Sequence, residues 1–150
     1  MQINYRKAVK EDFHRINALF IEMLRSIYEK DDVEGIGDGD LDYYFEGKES
    51  WICVAEIDGQ IEGFLSIEVH REDENFLYYD DFNVSAAYRG KGIGSALMDR
   101  AEAYCRELGF SSIVLHVEET NKKARRLYDR RGFTLLRQDG TRLCLIQHLN

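Results

Sequence analysis

A mixed α/β fold is what this sequence predicts, and three observations carry the prediction. Short apolar or alternating runs between residues 51 and 84 are bounded by turn residues, which makes an antiparallel meander. From Ile93 to Leu108 the apolar residues switch to helical spacing. A buried-type run, Ser112 to Val117, follows that helix, so the strands on either side of it lie parallel through a right-handed crossover. The 150 residues suit a single domain over 1–150, long enough to bury a core.

Taken in order, Ile3–Arg6 reads as a short strand and Asp12 as the N-cap of a helix. Phe13, Ile16, Leu19, Phe20, Met23, Leu24 and Ile27 then place an apolar stripe on one helix face. Asp31 to Asp40 is acidic and holds Gly35, Gly37 and Gly39, the composition of a loop. Trp51–Ile57 is a strand, Asp58-Gly59 a hairpin turn, and Gln60–Val69 the returning strand. Arg71–Asn75 is a polar turn before a strand over Phe76–Val84. Gly109 caps the helix that begins after Gly92. Asn121 caps a last helix that Gly132 ends, and Phe133–Arg137 with Thr141–Leu149 form a final hairpin around Asp139-Gly140.

Composition excludes several classes. Hydrophobic residues at 44% and charged ones at 32% exclude a disordered chain, collagen and a disulfide scaffold. No apolar run approaches the roughly 20 residues of a membrane span, and Met1–Arg6 has no signal-peptide stretch. A cytoplasmic location without membrane contact is expected. Cys53, Cys105 and Cys144 are odd in number, widely spaced and free of a C-x-x-C, so they read as reduced thiols. None of the 4 His lies near a Cys at ligand spacing, so no metal is expected. Asp38, Asp40, Asp42 and Glu49 hint at a calcium loop, but its sixth position needs Gly and holds Tyr43. An acidic lip for a cationic ligand or plain solvated surface fits better. Tyr43, Tyr44 and Phe45 are pocket lining or core, and His116 a satisfied core histidine. Residues 1–84 carry 8 Lys+Arg against 21 Asp+Glu, net −13; residues 85–150 carry 12 against 7, net +5. Such an acidic first half repels nucleic acid and attracts cations, and the basic remainder suits a phosphate-bearing ligand.

The string Tyr88-Arg89-Gly90-Lys91-Gly92-Ile93-Gly94-Ser95 leads from strand to helix. Its glycines let the backbone approach a ligand, the helix start offers unbonded amides, and Arg89 adds a cation; together these make a pyrophosphate site. A P-loop is excluded because no G-x-x-x-x-G-K-[ST] occurs. The dinucleotide fingerprint G-x-G-x-x-G also fails: counted from Gly90 its last position is Ser95, and from Gly92 it is Leu97.

The spacing Arg89-x-x-Gly92-x-Gly94 resembles the signature of the GNAT superfamily, the acetyl-CoA-dependent N-acetyltransferases. Asn121-x-x-Ala124-x-x-x-Tyr128-x-x-x-Gly132-Phe133 is similar to that family's second motif. One departure is Ser85-Ala86-Ala87, where the family commonly has a proline before the Arg. The resemblance implies a mostly antiparallel central sheet, a parallel pair at a V-shaped splay, and helices on both faces. It implies acetyl-CoA as co-substrate, with pantetheine along Phe82, Asn83 and Val84. An amide there, from Phe82 or Val84, polarises the thioester carbonyl. The pyrophosphate lies on Gly90, Lys91, Gly92, Ile93, Gly94 and Ser95. Asn121, ahead of Ala124, bonds the pantetheine or caps its helix. Lys123, with Lys122, Arg125 and Arg126, reaches the 3′-phosphate or forms an exposed face.

Tyr128 matches the acid that protonates the departing thiolate. Tyr79-Asp80-Asp81-Phe82-Asn83-Val84 is similar to the acidic strand of polyamine acetyltransferases. Asp80 is preferred as base, and Asp81 as an amine-binding or structural group, because alternation sends neighbours to opposite faces. The implied activity is acetyl transfer to a primary amine of a small cationic molecule or of a protein. The alternative is a non-catalytic coenzyme A-binding, sensing module. Homodimers are frequent in the resembled family.

Overall fold

The computed structural model describes residues 1–150. Seven strands are β1 (Ile3–Lys7), β2 (Trp51–Ile57), β3 (Gln60–His70), β4 (Phe76–Val84), β5 (Ser112–Glu118), β6 (Thr134–Asp139) and β7 (Arg142–His148). The helices are α1 (Phe13–Tyr28), α2 (Asp42–Glu46), α3 (Ile93–Glu107) and α4 (Lys122–Arg130). The sheet order is β1-β2-β3-β4-β5-β7-β6. Mixed α/β architecture with one parallel pair is therefore what the chain adopts, as its periodicity predicts. No helix is long and apolar enough to cross a membrane.

The contacts divide the chain into two compact units, Met1–Ile67 with Asp81–Arg100, and Glu68–Asp80 with Ala101–Asn150. In the first, β1 and β2 pair antiparallel, as do β2 and β3, with a register shift at Ala55/Glu56. Asp58 and Gly59 both have positive φ, 51° and 80°, the torsions a two-residue hairpin loop requires. The stripe of α1 is core: Ile16 and Leu19 are fully buried and pack with Ile52, Val54 and Phe64. Arg15 ties that helix to β3, its Nη2 2.7 Å from Glu62 Oε1 and its Nε donating to the Ile61 carbonyl.

Two expectations for this unit change. Asp12 precedes α1 but its side chain makes no cap bond there. Its Oδ2 accepts from the Val9 amide at 2.8 Å, and both its oxygens take Arg6, at 2.8 and 3.0 Å. A guanidinium fork outcompetes a single amide for a carboxylate, which draws Asp12 back toward β1. The second change is α2, which the acidic, glycine-rich flank hides. Tyr44 is core and Phe45 packs against it, whereas Tyr43 is exposed and bonds Ser50 Oγ at 2.9 Å. In the loop before α2, Asp40 Oδ2 accepts from the Gly37 amide and Asn17 Oδ1 from the Ile36 amide.

In the second unit β4 and β5 run parallel, in register from Leu77↔Ile113 to Tyr79↔Leu115. Strand β5 pairs antiparallel with β7 over its full length, and β7 with β6. Arg131 and Glu102 form an ion pair at 2.6 Å with exposures of 18% and 14%. Gln147 Nε2 donates both to Glu102 Oε2 and to the Arg131 carbonyl, so β7, α3 and the end of α4 meet at one buried polar knot. The three cysteines are free and buried. Burial raises all three thiols, Cys53 to about 11.

Candidate active site

Phe82, Asn83 and Val84 end β4 and are half-buried. Asn83 Nδ2 donates to the Leu19 carbonyl of α1 at 2.9 Å. Val84 lies beside Ile93: both would touch a Cβ placed on Gly63, at 3.4 and 3.3 Å. Gly63 is thus the residue that lets the first turn of α3 settle against β3. Arg89 folds back over this strand end, its Nε donating to the Val84 carbonyl at 2.9 Å and its Nη2 to Asn83 Oδ1 at 3.4 Å. It also lies 3.5 Å from Glu22. The arginine braces the turn, a role its spacing does not reveal.

Gly90 and Gly92 have φ of 75° and 83°. No atom lies within 4 Å of a Cβ at either, so torsion and not space demands glycine, and the backbone between them is open to a ligand. The first bond of α3 runs from the Ala96 amide to the Gly92 carbonyl at 3.0 Å. The amides of Ile93, Gly94 and Ser95 therefore lie in the turn where a helix has no carbonyl to offer its donors. Lys91 is exposed, its ammonium 5.9 Å from the Tyr88 ring.

Asn121 caps α4, its Oδ1 accepting from the Ala124 amide at 3.4 Å. Lys122 and Lys123 are exposed in the first turn, and Arg125 donates to the Glu119 carbonyl at 2.8 Å. Tyr128 is buried against Phe133, ring centroids 5.6 Å apart. That burial pushes its hydroxyl well above the usual tyrosine range, so it keeps its proton.

Asp80 is exposed and belongs to the second unit; Asp81 is half-buried and belongs to the first. Asp80 shares a strand face with Tyr78, and its charge helps to raise that phenol, after burial, to about 12. Tyr78 leads to an arrangement the linear spacing does not show. Its hydroxyl is 2.6 Å from His116 Nδ1, and His116 Nε2 is 2.8 Å from Asp139 Oδ2. His116 is satisfied, as a strand histidine should be, yet it lines an open pocket of ≈ 430 Å³. Cys144 faces His116 across β5 and β7, and the ligand-type atoms of His116, Asp139 and Cys144 lie within 4.8 Å of one another. His116 and Asp139 are already bonded to each other, and burial raises the Cys144 thiol. Alternation along β4 and β5 is the signal that finds this group, since Tyr78 and His116 fall on one face once the parallel register is known.

Arg89 braced on the end of β4, two glycines at positive φ and a helix start without carbonyls for its first amides make a strand–turn–helix unit whose bared donors can receive an anion. The acetyltransferase (GNAT) family model matches residues 21–133, and the chain belongs to that family. It is 38% identical over 86 residues to the 5-NmdU N-acetyltransferase of Pseudomonas phage PaMx11, covering 57% of this chain and 58% of that protein. It is 28% identical over 134 residues to the Bacillus subtilis N-acetyltransferase YhfO, covering 87% of this chain and 89% of that one. The match spans only 24% of the mycothiol acetyltransferase of Propionibacterium freudenreichii. Among solved structures, PaiA N-acetyltransferase of Thermoplasma acidophilum in complex with coenzyme A superposes with a TM-score of 0.83, at 18% identity and 99% coverage of both chains.

Proposed function

We propose that residues 1–150 act as one cytoplasmic catalytic domain that transfers an acetyl group from acetyl-CoA to a primary amine. The acceptor is a small cationic molecule or a protein amino group. The observation that carries this reading is the Arg89–Ser95 turn, in which two glycines at positive φ bare their amides ahead of α3. Acetyl-CoA supplies an activated thioester. The amides from Gly90 to Ser95 hold its pyrophosphate and Lys123 its 3′-phosphate. An amide of Phe82 or Val84 polarises the thioester carbonyl. Tyr128, still protonated at neutral pH, gives its proton to the departing sulfur. Asp80 acts as the base that takes the ammonium proton, and Asp81 binds the amine or braces the strand.

The names of the relatives point to different acceptors, so family membership does not choose the amine. Thiol release from acetyl-CoA, followed over a panel of amines, tests the reading. Turnover with one of them supports it. Tight coenzyme A binding without thiol release from any amine overturns it in favour of a sensing module.

A further inference from the structure

Helix α1 holds the approach to the glycine turn at two points. The Leu19 carbonyl accepts from Asn83 Nδ2 at 2.9 Å, and Glu22 Oε1 accepts from the Ala86 amide at 2.8 Å. Residues three apart share a helix face, so both contacts fall on one short stretch of chain. Between them Ser85 is buried, and its amide donates to the Glu62 carbonyl of β3 at 2.8 Å. All of these residues belong to the first unit. Ala86 opens a 3₁₀ turn over Ala86–Tyr88. Its amide is therefore one of the donors that a helix start leaves without an internal partner, and Glu22 supplies one.

Charge alone does not account for a carboxylate at this place. Glu22 Oε1 lies 3.5 Å from Arg89 Nη2, and for a turn that receives a diphosphate a negative charge there weakens the attraction. The ion pair adds little stability either, because its side chains are 35% and 42% exposed. The charge-assisted bond to Ala86 is the stronger contact, and the backbone gives it a use. The chain contains no proline, so no ring fixes φ between the end of β4 and Arg89. Ser85, at φ −57° and ψ 147°, has the extended torsions that a following proline accepts. Ala86 is the first residue of a helical turn, where the N–H that a proline lacks is not needed by the helix. The position suits a ring; it holds an alanine whose amide is tied to α1 instead.

We infer that Glu22 is a positioning residue for the cofactor: by holding the Ala86 amide it keeps the Arg89–Ser95 turn in the shape that receives a diphosphate. The inference rests on the acetyl-CoA reading above. Glu22 acts through the backbone at Ala86 and takes no part in the transfer itself. A loop fixed before binding loses less freedom when the ligand arrives, so the tether is read in affinity and not in the chemical step. The role needs an acceptor atom and not a charge. Any acceptor at that distance, or a ring at residue 86, performs it.

Calorimetry with coenzyme A tests this on the full chain, on Glu22→Ala, on Glu22→Gln and on the double variant Glu22→Ala with Ala86→Pro. Glu22→Ala should raise Kd about 10-fold, the size of one hydrogen bond to a charged group. Glu22→Gln keeps an acceptor oxygen and sheds the charge, so its Kd should match that of the natural chain or fall below it. The double variant should regain most of the loss, because the ring replaces the tether. With an amine that is turned over, KM for acetyl-CoA should follow Kd while kcat and the KM for the amine stay unmoved. An unchanged or lower Kd in Glu22→Ala overturns the inference, as does a loss that neither Gln nor the proline restores. Should Glu22→Ala fail to fold, Glu22→Asp decides, since its carboxylate stops one carbon short of the Ala86 amide; a raised Kd supports the tether and an unchanged one overturns it. Coenzyme A binding without turnover of any amine overturns the catalytic reading and leaves the tether to be judged by the Kd values. A natural chain that does not bind coenzyme A overturns the acetyl-CoA reading, and the inference falls with it.

Discussion

The Arg89–Ser95 turn and the Tyr78–His116–Asp139 group handle charge in opposite ways. In the turn the polar groups on offer are main-chain amides, set by two positive-φ glycines, while Arg89, Gly90, Lys91 and Gly92 are all exposed. In the group the polar atoms belong to three side chains from three strands, linked by bonds of 2.6 and 2.8 Å. The first arrangement tolerates new side-chain chemistry but not a new torsion. The second tolerates neither the loss of one polar atom nor a slip of one residue in register. A backbone site and a side-chain site thus fail for different reasons, and single substitutions separate them.

The largest effect should come from the half-buried ion pair of the second unit. Arg131→Ala leaves Glu102 with only its bond from Gln147 and should cost about 2–3 kcal/mol of stability in urea denaturation. Tyr128→Phe keeps the packing on Phe133 and removes one hydroxyl. It should lower kcat about 10²-fold while calorimetry finds coenzyme A affinity nearly unchanged; equal rates would reject the acid role. In the turn the contrast is between neighbours. Gly92→Ala forces a Cβ onto a left-handed torsion at about 1–2 kcal/mol, read as weaker coenzyme A binding and a lower melting point, while Lys91→Ala should leave the melting point unmoved.

Smaller effects sharpen the picture of what holds each unit. Hydrogen bonds from Arg6 keep the Asp12 carboxyl below its usual range. A lowered carboxyl lends stability that is full above its unfolded value, about 4, and is lost as pH falls through its native value. Asp12→Asn should therefore be less stable than the natural chain at pH 7 by about 1 kcal/mol, and the gap should close in acid. The last prediction has the opposite sign. The Tyr79 hydroxyl is buried without a hydrogen-bond partner, so Tyr79→Phe should be neutral or raise stability by up to about 1 kcal/mol.

Legibility in the sequence followed distance along the chain. Strands β2 and β4 have the ends that turn residues predict, and the glycine turn, Gly109 and the Asn121 cap act where their local signals place them. Each depends on residues within a few positions. The short helix α2 was hidden because its aromatic residues follow a stretch whose glycines and aspartates read as loop, and only packing on α1 and β2 reveals Tyr44 and Phe45 as core. Asp12 shows a local signal overridden by a stronger partner from β1. The Tyr78–His116–Asp139 group spans separations of 38 and 23 residues. Its assembly needs the parallel register of β4 on β5 and the pairing of β7 with both β5 and β6, which periodicity does not contain.

The sealed cysteines have a practical consequence. With Cys53, Cys105 and Cys144 enclosed and each held as a poorly nucleophilic thiol, maleimide and iodoacetamide reagents meet no ready native target. A cysteine engineered at exposed Lys91 becomes the single fast-reacting handle. A fluorophore attached there would test the proposed coenzyme A binding at the turn by its emission change, with no need to strip the natural cysteines first.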